Sequence, residues 1–120
     1  MRLTIISVGH KMPDWVATAT HDYVKRMPAD CSIEIKEIKP DLTPAKEAIK
    51  ITAAIPKGSK VIALDERGKD QTTQNLATHL TAWRQEGVDI TFLIGESYKI
   101  SEEFCAYLET KSEKESSIII

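Results

Sequence analysis

Several absences narrow the chemistry before any motif is considered. The five glycines stand singly, and neither G-x-G-x-x-G nor a P-loop spacing occurs, so no loop is built to wrap a nucleotide phosphate. Cysteine is scarce: Cys31 and Cys105 match no zinc or redox spacing and read as plain thiols in a reducing compartment. No excess of positive charge exists either, since 16 Lys and Arg face 18 Asp and Glu for a net charge of −2. Bulk electrostatics therefore do not hold nucleic acid, and an RNA partner has to be held by local patches or a dimer surface. No apolar run approaches the roughly 20 residues of a membrane span, and Ile118, Ile119 and Ile120 are too few for an anchor. The opening MRLTIISVGHK has no small-residue cleavage site of the secretory kind and reads as the first strand of a cytoplasmic protein. His10, His21 and His79 share no metal-ligand spacing. No Ser-His-acid set or Cys-His pair stands at a spacing that marks nucleophilic catalysis.

What is present fits one soluble α/β domain over residues 1–120: 42% hydrophobic and 28% charged residues over a length that supports a single core. Residues 3–8 are an apolar run ended by Gly9, the mark of a strand buried on both faces. Pro13 opens a helix in which Val16, Ala19, Thr20, Tyr23, Val24 and Met27 recur at helical spacing up to Pro28. Residues 32–38 alternate as a half-buried strand near a sheet edge, with Ile33 and Ile35 inward. Thr43-Pro44 starts a second helix, its inner face Ala45, Ala48, Ile49 and Ala53, and PKGSK turns into a strand over residues 61–64. Residues 72–86 carry Leu76, Leu80 and Trp83 on one face with Gly87 as stop, and residues 90–94 form a fourth strand. Ser101 with Glu102 and Glu103 opens a last helix, with Phe104, Tyr107 and Leu108 inward, and residues 109–117 read as its frayed end and a disordered tail.

This β-α-β-α order predicts a mostly parallel sheet with helices on both faces. Ligands of such sheets bind outside the C-terminal ends of the strands, which directs attention to the loops after Val8, Leu64 and Ile94. In ALDERGK, residues 63–69, a strand ends at Leu64 and delivers Asp65, Glu66 and Arg67. These suit the backbone edge and charges of a nucleoside site, and equally a solvated loop with local ion pairs. In FLIGE, residues 92–96, Gly95 directly follows a strand and lets a ligand approach the backbone, or simply turns the chain. His10 beside Lys11 stands at another strand end, as a ligand or RNA contact or as an exposed pair. Lys25 and Arg26 close the first helix, where cations complement its dipole.

Read together, ISVGHKMPDWV with YVKRMP, then IEIKEIKP, then VIALDERGKDQTTQNLA leading to WRQEGVDITFLIG, resemble the ribosomal RNA large subunit methyltransferase H family over residues 1 to about 95. That resemblance implies a SPOUT-like α/β knot with a mostly parallel sheet, a cytoplasmic homodimer, and S-adenosylmethionine held bent among three loops. It implies transfer of a methyl group to N3 of a pseudouridine in 23S rRNA of the large subunit, with no metal. Cofactor contact falls on Leu64, in the family's Leu-Asp pair, and on Gly95, in its I-G-G motif. Glu96 stands where the second glycine of that motif is expected. The following ESYKISEEFCAYLETKSEKESSIII does not align with the family's L-T-L-P-H segment and N-H-P-Y-H-R ending. The knot-forming segment is accordingly expected to be missing or replaced. No catalytic residue is assigned, and a truncated or frameshifted remnant that binds no cofactor is the alternative expectation.

Overall fold

The computed structural model describes residues 1–9, 12–64, 70–94 and 117–119. Along the chain run β1 (Arg2–Val8), α1 (Asp14–Lys25), β2 (Ser32–Ile38), α2 (Pro44–Ala54), β3 (Lys60–Leu64), α3 (Thr73–Glu86), β4 (Ile90–Ile94) and β5 (Ser117–Ile119). The strands lie in the order β2-β1-β4-β3-β5, and every pairing is parallel. The expected α/β class and the edge position of β2 are both present. β5 is an addition: residues 117–119 pair with β3, Ile118 opposite Ile62. The expected helix over residues 101–108 lies outside the described residues.

Strand order fixes which face each helix covers. The steps β1 to β2 and β3 to β4 run the same way across the sheet, while β2 to β3 runs the opposite way, so right-handed crossovers put α1 and α3 on one face and α2 on the other. The core divides accordingly. On the α2 face Ile6, Val8, Val61, Ala63 and Leu93 pack with Ile51, and Ala48, Ala54 and Ile55 add to the contact. On the opposite face Leu3, Ile62 and Ile90 pack with Trp83 and Cys31, joined by Leu80, Met27, Leu64 and Phe92. Among the described residues, Thr4 and Thr91 are the buried polar ones. Thr91 is satisfied by the Ser59 hydroxyl at 2.8 Å.

Local signals account for the element ends. Thr43 Oγ1 accepts from the Lys46 amide at 3.2 Å, and Thr72 Oγ1 from the Asn75 amide at 3.0 Å, each supplying one of the partners a helix start lacks. Gly87 ends α3 with φ 71°, a left-handed conformation that glycine takes without a Cβ clash.

Two expectations about helix faces are corrected. The inner face of α2 is Ala48, Ile51, Ala54 and Ile55, while Ile49 is 70% exposed and Ala45 and Ala53 are also exposed. The helix carries two apolar stripes compatible with a 3.6-residue period, and the partner surface chooses between them. Ile51 joins the cluster of Ile6, Val8, Val61, Ala63 and Leu93, and Lys36 of β2 donates to the Ala54 carbonyl at 3.1 Å, which holds the rotation. On α1, Tyr23 is 67% exposed with the Arg26 guanidinium 5.4 Å from its ring centroid, and no α1 residue is fully buried. The narrow edge strand β2 presents only half-buried Ile33 and Ile35 to it. An open groove of about 250 Å³ remains between them, lined by Met12, Val24, Ile33 and Ile35 among others.

Candidate functional site

β1, β4 and β3 end side by side, because Ser7 is in register with Ile94 and Ile94 with Leu64. Adjacent strands lie about 4.8 Å apart, so the three loops that leave this edge start within roughly 10 Å of one another. Glu37 extends the same row into β2. Side chains in one row of a parallel sheet share a face, here the one covered by α1 and α3. Leu64 is half-buried against the core of that face, Ser7 is half-buried, and Ile94 is 40% exposed. The central strand thus ends in an apolar side chain open on its outer side, flanked by a second apolar residue.

Gly9 continues the edge beyond β1. Its amide donates to the Ile38 carbonyl at 3.0 Å, keeping the chain beside β2 for one more residue. A Cβ built on it would meet no atom of the described residues within 4 Å. The sequence directed attention to the loop after Val8 without singling out Gly9. The signal was a glycine directly behind a buried strand, the same one that marked Gly95. Ser7 and Ile94 were also missed as site positions, because their adjacency depends on strand order.

Of the residues singled out from sequence, Leu64 lies on this edge, beside the central Ile94. Gly95, Glu96, Asp65, Glu66, Arg67, His10 and Lys11 lie outside the described residues. His21 is exposed on the groove beside β2, away from the strand ends. His79 stacks on Trp83 with centroids 5.4 Å apart, one helical turn along α3. Lys25 is exposed in the last turn of α1, and Arg26 pairs with Asp22 at 2.7 Å, in keeping with the helix-end reading of both. Among the described residues no group of three or more His, Cys, Asp or Glu could hold a metal. No helix among them is long and apolar enough to cross a membrane.

The turn from β2 into α2 borders the same edge. There the Asp41 carboxylate accepts from Lys50 at 2.9 Å and from the Leu42 amide at 2.7 Å, which together hold its pKa below the ordinary value. Glu47 accepts from the Asp41 amide at 3.1 Å.

The sequence that builds this parallel sheet is similar to known proteins. Residues 1–113 match the family described as predicted SPOUT methyltransferase. This chain belongs to the SPOUT methyltransferase family. Within it the chain is 90% identical over 95 residues to the ribosomal RNA large subunit methyltransferase H of Polynucleobacter asymbioticus, covering 79% of this chain and 65% of that protein. It is 78% identical over 95 residues to the protein of that name from Polynucleobacter necessarius subsp. necessarius, covering 79% of this chain and 62% of the relative. A third, from Janthinobacterium sp. (strain Marseille), is 48% identical over 113 residues, 87% of this chain and 72% of its own length. The chain thus spans a little under two thirds of the first two SPOUT relatives. The parallel sheet is consistent with the SPOUT fold. The family match runs past Gly95 to residue 113 and lends no support to a remnant without function.

Proposed function

We propose that this chain carries the cofactor-binding α/β part of an S-adenosylmethionine-dependent methyltransferase whose substrate is N3 of a pseudouridine in 23S rRNA. Membership of the SPOUT family supports methyl transfer, and the name of the relatives supports ribosomal RNA of the large subunit as substrate. The observation that carries the reading is the register Ser7–Ile94–Leu64, which starts three loops from one edge, as a ligand of a parallel sheet requires.

The residues present suit the cofactor. Its adenine ring needs apolar contact, which half-buried Leu64 and exposed Ile94 offer side by side, and its polar groups need backbone that no Cβ obstructs, which Gly9 offers. Leu64 and Gly95 are the residues proposed to hold it. S-adenosylmethionine supplies an electrophilic methyl group on a sulfonium centre. The chain's own part is to bind, to keep water off the apolar wall at Ile94, and to fix the target base, since orientation alone accounts for a large share of such rate enhancements. N3 gives up a proton as it gains a methyl group, and no described residue is assigned as its acceptor. The reading includes one α/β domain, a cytoplasmic homodimer, and rRNA held by local surface, as the net charge of −2 requires.

The test is incubation of the purified chain with methyl-tritiated S-adenosylmethionine and large ribosomal subunits, followed by nuclease digestion and mass spectrometry. One added methyl on a single pseudouridine is expected. A folded sample that leaves the rRNA unlabelled contradicts the reading.

A further inference from the structure

We propose that the outer face of α2, with the turns on either side of it, is the surface that takes the rRNA phosphate backbone; the proposal rests on the rRNA reading above and assigns it a place. Residues 39–57 contain Lys39, Lys46, Lys50 and Lys57 against Asp41 and Glu47, a net charge of +2. The rest of the chain carries twelve basic and sixteen acidic residues, a net charge of −4. All four lysines are exposed. Both acids are engaged locally, Asp41 with Lys50 and Glu47 with the Asp41 amide. A positive stretch on an acidic protein is where a polyanion finds complementary charge.

Its position fits the reading. The turn leaves β2 at Ile38, which pairs with Val8 at the C-terminal end of β1 and accepts from the Gly9 amide. Lys39 and Lys46 therefore border the edge where Ser7, Ile94 and Leu64 end, and α2 runs from there down the sheet. Lys46 and Lys50 are four residues apart, about 6 Å along the axis on one face of the helix. Leu42, 89% exposed, and Ile49, 70% exposed, lie among the lysines, where sugar and base faces of a strand can cover them. RNA is the favoured partner over an acidic protein because the positive surface starts at the proposed methylation edge.

The experiment measures binding of a transcribed 23S rRNA fragment across a salt series for the wild-type chain and for the triple variant Lys39→Glu, Lys46→Glu, Lys57→Glu. Lys50 is left intact to preserve its ion pair with Asp41. Unchanged thermal unfolding and S-adenosylmethionine affinity establish that the variant is folded with its cofactor site intact. The expected result is Kd at least about tenfold weaker at 0.1 M salt, with the slope of log K against log salt shallower by about 2, since each phosphate contact contributes roughly 0.7–0.9. A folded variant that binds the fragment as the wild type does overturns the assignment while leaving the rRNA reading intact. A wild-type chain that binds cofactor but no rRNA overturns both. Polyglutamate bound as tightly as the fragment, with the same loss in the variant, overturns RNA as the occupant and assigns the face to an acidic protein.

Discussion

Ile51 and Ile49 sit two residues apart on α2, and truncating each to alanine separates the two rotations of that helix. Ile51 is 7% exposed in the cluster with Ile6, Val61, Ala63 and Leu93, whereas Ile49 is 70% exposed. Losing the buried side chain forfeits its transfer free energy and leaves a cavity over the sheet, a combination that costs about 2–5 kcal/mol for isoleucine to alanine. Ile51→Ala is expected near the middle of that range, about 3 kcal/mol, because the side chain lost is buried within that cluster. Ile49→Ala changes contacts mainly with water and is expected within about 0.5 kcal/mol. Against a total stability of about 5–15 kcal/mol the first is a severe lesion. Urea titration reads both: with m near 1.5 kcal/mol/M, Ile51→Ala moves the midpoint down by about 2 M, and Ile49→Ala by less than about 0.4 M. Equal shifts, or the reverse order, would refute the placement of α2 and the face assignment that rests on it.

Three further outcomes follow from single contacts. Ser59 has one hydroxyl proton, and its 2.8 Å contact to the Pro56 carbonyl, which can only accept, takes it; Thr91 must then donate to Ser59 at 2.8 Å. Thr91→Val removes that donor in the core and is expected to cost about 1 kcal/mol by urea titration, and no change would contradict the proton assignment. Gly87→Ala forces a Cβ onto a residue at φ 71° and is expected to lower stability by about 1 kcal/mol, seen as a fall in thermal midpoint, while a rise would contradict the cap geometry. Asp41 has its folded pKa lowered by Lys50 and the Leu42 amide, so its stabilisation is present above the unfolded value of about 3.9 and is lost as pH falls through the folded one. Asp41→Asn should narrow the gap in urea midpoint between pH 7 and pH 3, more so at low salt than at high; an unaltered gap would remove Asp41 from the acid transition.

Local chemistry in this chain was easy to read and long-range chemistry was not. The bounds of β2, the Thr43 start of α2 and the Gly87 stop of α3 were legible because each depends on a few neighbouring residues: an alternation, a hydroxyl, a glycine. The rotation of α2 was not, since Ala45, Ile49 and Ala53 make as good a stripe as Ala48, Ile51 and Ile55 until the sheet beneath is known. Ser117 was read as the end of a polar tail and Ile118 and Ile119 as apolar residues too few for an anchor, and the pairing of all three with β3 spans more than fifty residues of chain. The candidate site shows the same division. That Leu64 and Ile94 end strands was plain from two apolar runs. That β4 lies between β1 and β3, so that Ser7, Ile94 and Leu64 meet on one row, depends on strand order, which no short stretch of sequence encodes.

The central claim is that the edge formed by Ser7, Ile94 and Leu64 belongs to a working S-adenosylmethionine site, and calorimetric titration of the purified 120-residue chain with that cofactor tests it most directly. Saturable binding in the micromolar range, about −8 kcal/mol, is the result predicted. A sample with a cooperative urea transition that takes up no cofactor would contradict it.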